Sequence, residues 1–151
     1  MTGEKLIAHN RRARHDYHLG DRVEAGVVLT GTEVKALREG KTSLQRAYAD
    51  VENGEAWLVG VHIPEYLQGN RANHDPERPR KLLLHRREID RLYGQVKEKG
   101  VTLVPTRMYF KDGRVKVEIA VARGKELHDK RRDIAARDAQ RQIERELGRR
   151  R

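Results

Sequence analysis

The chain has 151 residues, a length suited to one domain that buries a core without disulfides or metal. Its 33 Lys and Arg outnumber 23 Asp and Glu, and the formal net charge of +10 favours a polyanionic partner, nucleic acid or ribosome, over an anionic membrane. The absence of cysteine excludes thiol nucleophiles, zinc–thiolate sites and disulfide frameworks and suits a reducing compartment.

Residues 1–5 lack the apolar run of a signal peptide, and no stretch approaches the roughly 18 apolar residues of a membrane span, so a cytoplasmic protein without a membrane partner is expected. From residue 17 to 29 the odd positions read Tyr17, Leu19, Asp21, Val23, Ala25, Val27 and Leu29, a period of two that predicts a half-buried strand. Thr30 then stands three residues before Glu33, a capping-box spacing. Val34 and Leu37 face inward and Gly40 stands at the exit of a short helix.

Residues 44–63 carry two apolar stretches around Asn53-Gly54, and residues 101–121 repeat the arrangement around Asp112-Gly113, which predicts two antiparallel hairpins. Between them Ile89, Leu92, Tyr93 and Val96 recur at helical spacing up to Gly100. Several short strands with interposed helices predict a mainly β fold, an OB-like closed antiparallel barrel that leaves no exposed edge. Residues 1–123 form this barrel with a basic N-terminal arm. Residues 124–151 form a tail with ten basic and six acidic residues, in which Ala136, Ala139, Ile143 and Leu147 make a thin apolar stripe. Such a stripe is too sparse to order the tail alone, so disorder in isolation and a helix when bound are expected, the latter roughly 40 Å long at 1.5 Å per residue.

Asn10-Arg11-Arg12-Ala13-Arg14-His15-Asp16-Tyr17 packs three guanidinium groups, an imidazole and a phenol into eight residues, groups that grip phosphates and stack on bases. The plainer reading is a solvated basic arm. Arg78-Pro79-Arg80-Lys81 forms a second basic block beside Leu82-Leu83-Leu84, and here RNA contact and ordinary exposure are about equally supported by the residues. Glu24 lies on the polar face of the first predicted strand, placed to orient an arginine or accept from a guanine edge, or to be an ordinary surface glutamate. Trp57 is expected to be structural.

Three His-Asp pairs, at His15-Asp16, His74-Asp75 and His128-Asp129, raise the possibility of a metal hydrolase. Their setting in basic arms and a Pro-rich loop argues against it. The single serine, Ser43, has no nucleophile-elbow context, and no nucleotide-binding glycine fingerprint is present. No enzyme activity, cofactor or metal is expected.

Four motifs in order, Asn10-Arg-Arg-Ala-Arg-His-Asp-Tyr17, Gly31-Thr-Glu-Val-Lys-Ala-Leu-Arg38 with Gly40-Lys41, Arg78-x-Arg-Lys-Leu-Leu-Leu84 and Gly124-Lys-x-x-His-Asp-Lys-Arg131, resemble the small protein B family from about residue 7 to 137. The resemblance implies an OB-like barrel that binds the tRNA-like domain of transfer-messenger RNA in place of an anticodon arm. It also implies delivery of that RNA to the A site of stalled ribosomes. By the same resemblance Asn10, His15, Glu24, Lys81 and Leu83 belong to the RNA-binding face, with Arg11, Arg12 and Arg14 gripping the backbone. Gly124, Lys125, His128, Asp129, Lys130 and Arg131 enter the decoding centre, formed by small-subunit rRNA, and the rest of the tail becomes a helix in the empty mRNA channel. Elongation factor Tu and alanyl-tRNA synthetase are implied as indirect partners through the charged RNA. Glu24 and Asn10 are both expected to project from the barrel surface. The rival readings are a general RNA chaperone with little preference among RNAs and a metal-dependent nuclease using the His-Asp pairs.

Overall fold

The structure, a computed structural model, describes residues 3–68, 73–125 and 127–149, leaving aside the side chains of residues 127–129 and 149. The elements run β1 (Glu4–His9), α1 (Arg11–Asp16), β2 (Tyr17–Val27), α2 (Gly31–Arg38), β3 (Tyr48–Glu52), β4 (Glu55–Val59), β5 (Arg80–Leu83), α3 (Arg86–Val96), β6 (Val101–Lys111), β7 (Arg114–Gly124) and α4 (Leu127–Arg149). The fold is mainly antiparallel sheet with short helices, in strand order β1-β6-β3-β4-β5-β2-β7, and β7 pairs again with β6. The pairings therefore return to β6 after a circuit of six strands, with β1 laid along β6 outside it. One rung, Ala49 opposite Leu103, carries the β3–β6 step of the circuit.

Both predicted hairpins form at the predicted turns. Asn53 and Asp112 adopt φ of 52° and 50°, and Gly54 and Gly113 follow at 75° and 80°, the paired positive angles that a two-residue hairpin turn needs to match strand twist. In β7, Val115, Val117 and Ile119 are buried, and a bulge between Leu19 and Arg22 in β2 resets the register so that Val23 and Ala25 also point inward. These side chains join Leu37, Leu44, Leu58, Val61, Ile63, Leu82, Leu92, Leu103 and Met108 in one core. No helix among the described residues is long and apolar enough to cross a membrane.

Several local expectations change. The segment read as a basic N-terminal arm is ordered as β1 followed by α1, whose one buried side chain, Ala13, packs with Val104 and Ala122 in a separate small cluster. A single apolar residue per turn gave no periodicity to read. Trp57 is only half-buried on the outer face of β4, because Ala56 and Leu58 take the inward positions. Of the leucine run only Leu82 is buried; Leu83 is 55% exposed, as strand alternation requires. On α3, Ile89 and Leu92 are buried, while Tyr93 turns outward beneath the Lys97 ammonium, 4.5 Å from its ring.

Candidate nucleic-acid interface

Glu33 shows how the basic block after residue 77 is organised. Thr30 caps α2 through a capping box, and the Glu33 carboxylate accepts from the Thr30 backbone N–H at 2.8 Å. The same fully buried carboxylate accepts from Arg80 Nε at 2.6 Å and Arg78 Nη2 at 2.5 Å. Arg80 is itself completely buried and donates from Nη1 to the Val61 carbonyl at 2.6 Å. Burial pushes the Glu33 carboxyl up, but the bonds from Arg78, Thr30 and Arg80 outweigh it and hold the group below the usual carboxylate range. Arg80 is thus a core cation, and of its block Lys81 remains on the outer face, 3.6 Å from Glu55.

Across the outer face of β2, β7 and β6, Glu24 pairs in register with Glu118, and Glu118 with Arg107. Glu24 accepts a short hydrogen bond from the Tyr109 hydroxyl and lies 3.3 Å from Lys111 Nζ. The Tyr109 bond is the largest influence on Glu24, and with Lys111 and Lys116 it holds the carboxyl below its ordinary range against desolvation. Burial and the facing Glu24 carboxylate raise the Tyr109 phenol. A charged, oriented carboxylate with 37% of its side chain open to solvent is equipped to accept from a donor on a partner. The predicted outward projection of Glu24 is thereby found.

Asn10 departs from that expectation. It is 6% exposed and donates from Nδ2 to the carbonyls of Pro105, at 2.8 Å, and Leu44, at 3.2 Å. The residue ties the start of α1 to β6 and to the loop before β3, so its visible role is to hold the basic helix on the sheet. The sequence did not show this, because neither β1 nor α1 carries a periodicity that marks Asn10 as the joint between them.

On α1, Arg11, Arg12 and Arg14 point to solvent while His15 is half-buried, with Nδ1 hydrogen-bonded to Asp16 Oδ1 at 2.8 Å. Asp16 is also approached by Lys130 Nζ at 3.4 Å and Arg12 Nε at 3.9 Å. The His15 bond is the first of the influences that hold its carboxyl below the ordinary range. Lys125 crosses the junction: its backbone N–H donates to the Asp16 carbonyl, and its Nζ donates to the Arg14 carbonyl at 2.7 Å and pairs with Asp133. Gly124 ends β7, Lys130 is half-buried against α1, and Arg131 is exposed. The side chains of His128 and Asp129 lie outside the described residues.

The structure therefore brings Arg11, Arg12, Arg14, His15, Lys125 and Lys130 together at the α1–α4 junction. It places Glu24, Lys81 and Leu83 on the outer face of β2 and β5. Of the His-Asp pairs, His15-Asp16 and His74-Asp75 stand in separate settings, the first on α1 and the second in the loop before β5. His74 is buried and bonded to Thr32 and the Ile63 carbonyl, and no group of three metal-ligating side chains exists among the described residues. Sequence reading missed the contributions of Tyr109, Arg22, Arg107 and Glu118, whose alternation with buried neighbours along β2, β6 and β7 was their only signal.

A small antiparallel sheet protein with cations displayed from α1, the outer strands and a long terminal helix is a class of molecule built to meet a polyanion. The SmpB protein family model matches residues 7–149, further along the tail than the motifs alone carry, and the chain belongs to that family. It is 60% identical over 149 residues to the SsrA-binding protein of Acidothermus cellulolyticus, covering 99% of this chain and 94% of that one. It is 62% identical over 148 residues to the SsrA-binding protein of Nocardia farcinica, covering 98% and 92%. A solved chain from the work called "tmRNA-SmpB: a journey to the center of the bacterial ribosome" is similar with a TM-score of 0.68 and 50% identity, over 80% of this chain and 85% of that chain.

Proposed function

We propose that this protein binds the tRNA-like domain of transfer-messenger RNA and brings it, in place of an anticodon arm, to the A site of stalled ribosomes in the cytoplasm. The observation that carries this reading is the likeness, at 50% identity, to a chain solved in the tmRNA–SmpB work. The charge and the display of cations support it independently. In this reading the sheet is an OB-like barrel whose outer face, with Glu24, Lys81 and Leu83, meets the RNA, and the pairing of β7 back to β6 supports it. Arg11, Arg12, Arg14 and His15 grip the backbone beside it, and Asn10 acts by holding α1 in place. Gly124, Lys125, His128, Asp129, Lys130 and Arg131 meet the decoding centre, with α4 directed into the mRNA channel. Elongation factor Tu and alanyl-tRNA synthetase are partners only through the charged RNA, and peptidyl transfer is the ribosome's own chemistry.

The test is a titration of labelled tRNA-like domain against the protein at near-physiological salt, with excess bulk tRNA as competitor, where nonspecific electrostatic binding is suppressed. Retained binding is expected in the wild type. Glu24→Ala should weaken it by about ten-fold, the scale of one charge-assisted hydrogen bond. Complete displacement by bulk tRNA would favour a general RNA chaperone instead.

A further inference from the structure

A cleft of about 640 Å³ opens between α1, the outer face of β2, β6 and β7, and the middle of α4. Five guanidinium groups line it: Arg11 and Arg14, one turn apart on α1, Arg22 on β2, Arg107 on β6 and Arg137 on α4. The single carboxylate in the lining, Glu118, already accepts from the Thr106 hydroxyl and lies 3.6 Å from Arg22 and 3.7 Å from Arg107. Glu118 therefore braces two arginines and leaves a large surplus of positive charge. Arg107 is fixed further by the Tyr109 ring, 4.2 Å from its guanidinium carbon, and by Glu4 at 3.6 Å. Among the described residues no carboxylate pairs with Arg11 or Arg14.

We propose that this cleft binds consecutive backbone phosphates of an RNA strand, and that Arg137 closes over the strand so that bound RNA fastens α4 to the body. The inference rests on the RNA-binding reading above and adds Arg22, Arg107 and Arg137 to its residues. Planar forks held by packing and by a carboxylate brace lose little freedom on engaging phosphate oxygens. No Phe, Tyr or Trp lines the cleft and its one ring is the His9 imidazole, so five guanidinium groups aimed at phosphates outweigh any stacking on bases. Guanidinium groups spread over four elements suit a strand better than one free anion.

The test uses the full chain and two labelled RNAs, the tRNA-like domain and an unrelated structured RNA, each titrated across a salt series. In Arg22→Gln/Arg107→Gln the slope of log affinity against log salt should become shallower by roughly 1.5–2, and in Arg137→Gln by about 1, for both RNAs. Arg22→Lys/Arg107→Lys should recover most of the slope, which a purely structural role would not show. Hydrogen exchange around residue 137 should slow on RNA binding in the wild type and not in Arg137→Gln. Wild-type slopes in the glutamine variants, or an equal loss in the lysine variants, would overturn the proposal. So would displacement of the RNA by millimolar inorganic phosphate from the wild type alone, since a free anion would then be the ligand. Loss of preference for the tRNA-like domain with the slope differences intact would overturn only the transfer-messenger RNA reading.

Discussion

Among the described residues, Glu33 and Arg80 form the one ion pair in which both side chains are fully buried. Both side chains are out of water, and each satisfies the other while Thr30, Arg78 and the carbonyls of Val61, Pro76 and Asp75 take the remaining bonds. Removing one charge leaves the other buried and uncompensated, so Glu33→Gln should lower the unfolding free energy by about 3–5 kcal/mol in chemical denaturation. A loss below about 1 kcal/mol would show the pair to be solvated. The pH dependence has a definite sign. Glu33, Glu24 and Asp16 are all held below their ordinary range in the folded chain, so the stability they contribute is complete above the unfolded carboxylate range and is lost as pH falls through their folded values. The capping box was legible in Thr30 and Glu33, but the second role of Glu33 was not, because its partners lie 45 and 47 residues away and looked like surface charge.

At the scale of elements, legibility followed periodicity. The Asn53-Gly54 and Asp112-Gly113 hairpins and α3 could be read because alternation or helical spacing runs for several residues on each side of a turn or stop. β1 and α1 could not: β1 lies outside the circuit with its side chains largely exposed, and α1 buries only Ala13. Helix α4 is the opposite case, a long element with almost nothing holding it. Ile134, Ile143 and Leu147 are 42%, 52% and 59% exposed, and the helix meets the body chiefly through α1, with Arg137 at the cleft beside β2, β6 and β7. Propensity alone barely sustains a helix of this length in water. In the free protein, amides beyond residue 134 should therefore exchange close to the rates of an unfolded chain, while those of β6 and β7 are strongly protected, and ribosome binding should slow the tail. Protection of the free tail equal to that of β6 would refute this.

For the whole molecule, the sheet and the long terminal helix α4 meet at the α1 junction, and that junction dictates where the chain can be cut. A cut after Arg123 would remove Gly124, whose N–H donates to the Gly100 carbonyl, and Lys125, whose N–H and Nζ bond the Asp16 and Arg14 carbonyls that end α1. That cut would loosen the basic helix and confuse the two tasks. A chain ending at Lys125 keeps these bonds, the β2–β7 ladder and the core, and loses α4. It should keep its preference for the tRNA-like domain over bulk tRNA, with affinity reduced several-fold by the loss of Arg137 and Lys130, on the order of one phosphate contact each. Addition of a degradation tag on stalled ribosomes should disappear, because His128, Asp129, Lys130 and Arg131 of the proposed decoding-centre set are gone, together with the helix proposed for the channel. A truncated protein that still supported tagging would place ribosome entry in the body, and one that lost all RNA preference would place recognition in the tail. In the sequence, alternation stops at residue 123 and charge takes over, which is why the tail is expected to start at residue 124; the reach of Lys125 back to α1, which moves the cleaner cut two residues on, leaves no mark in the sequence.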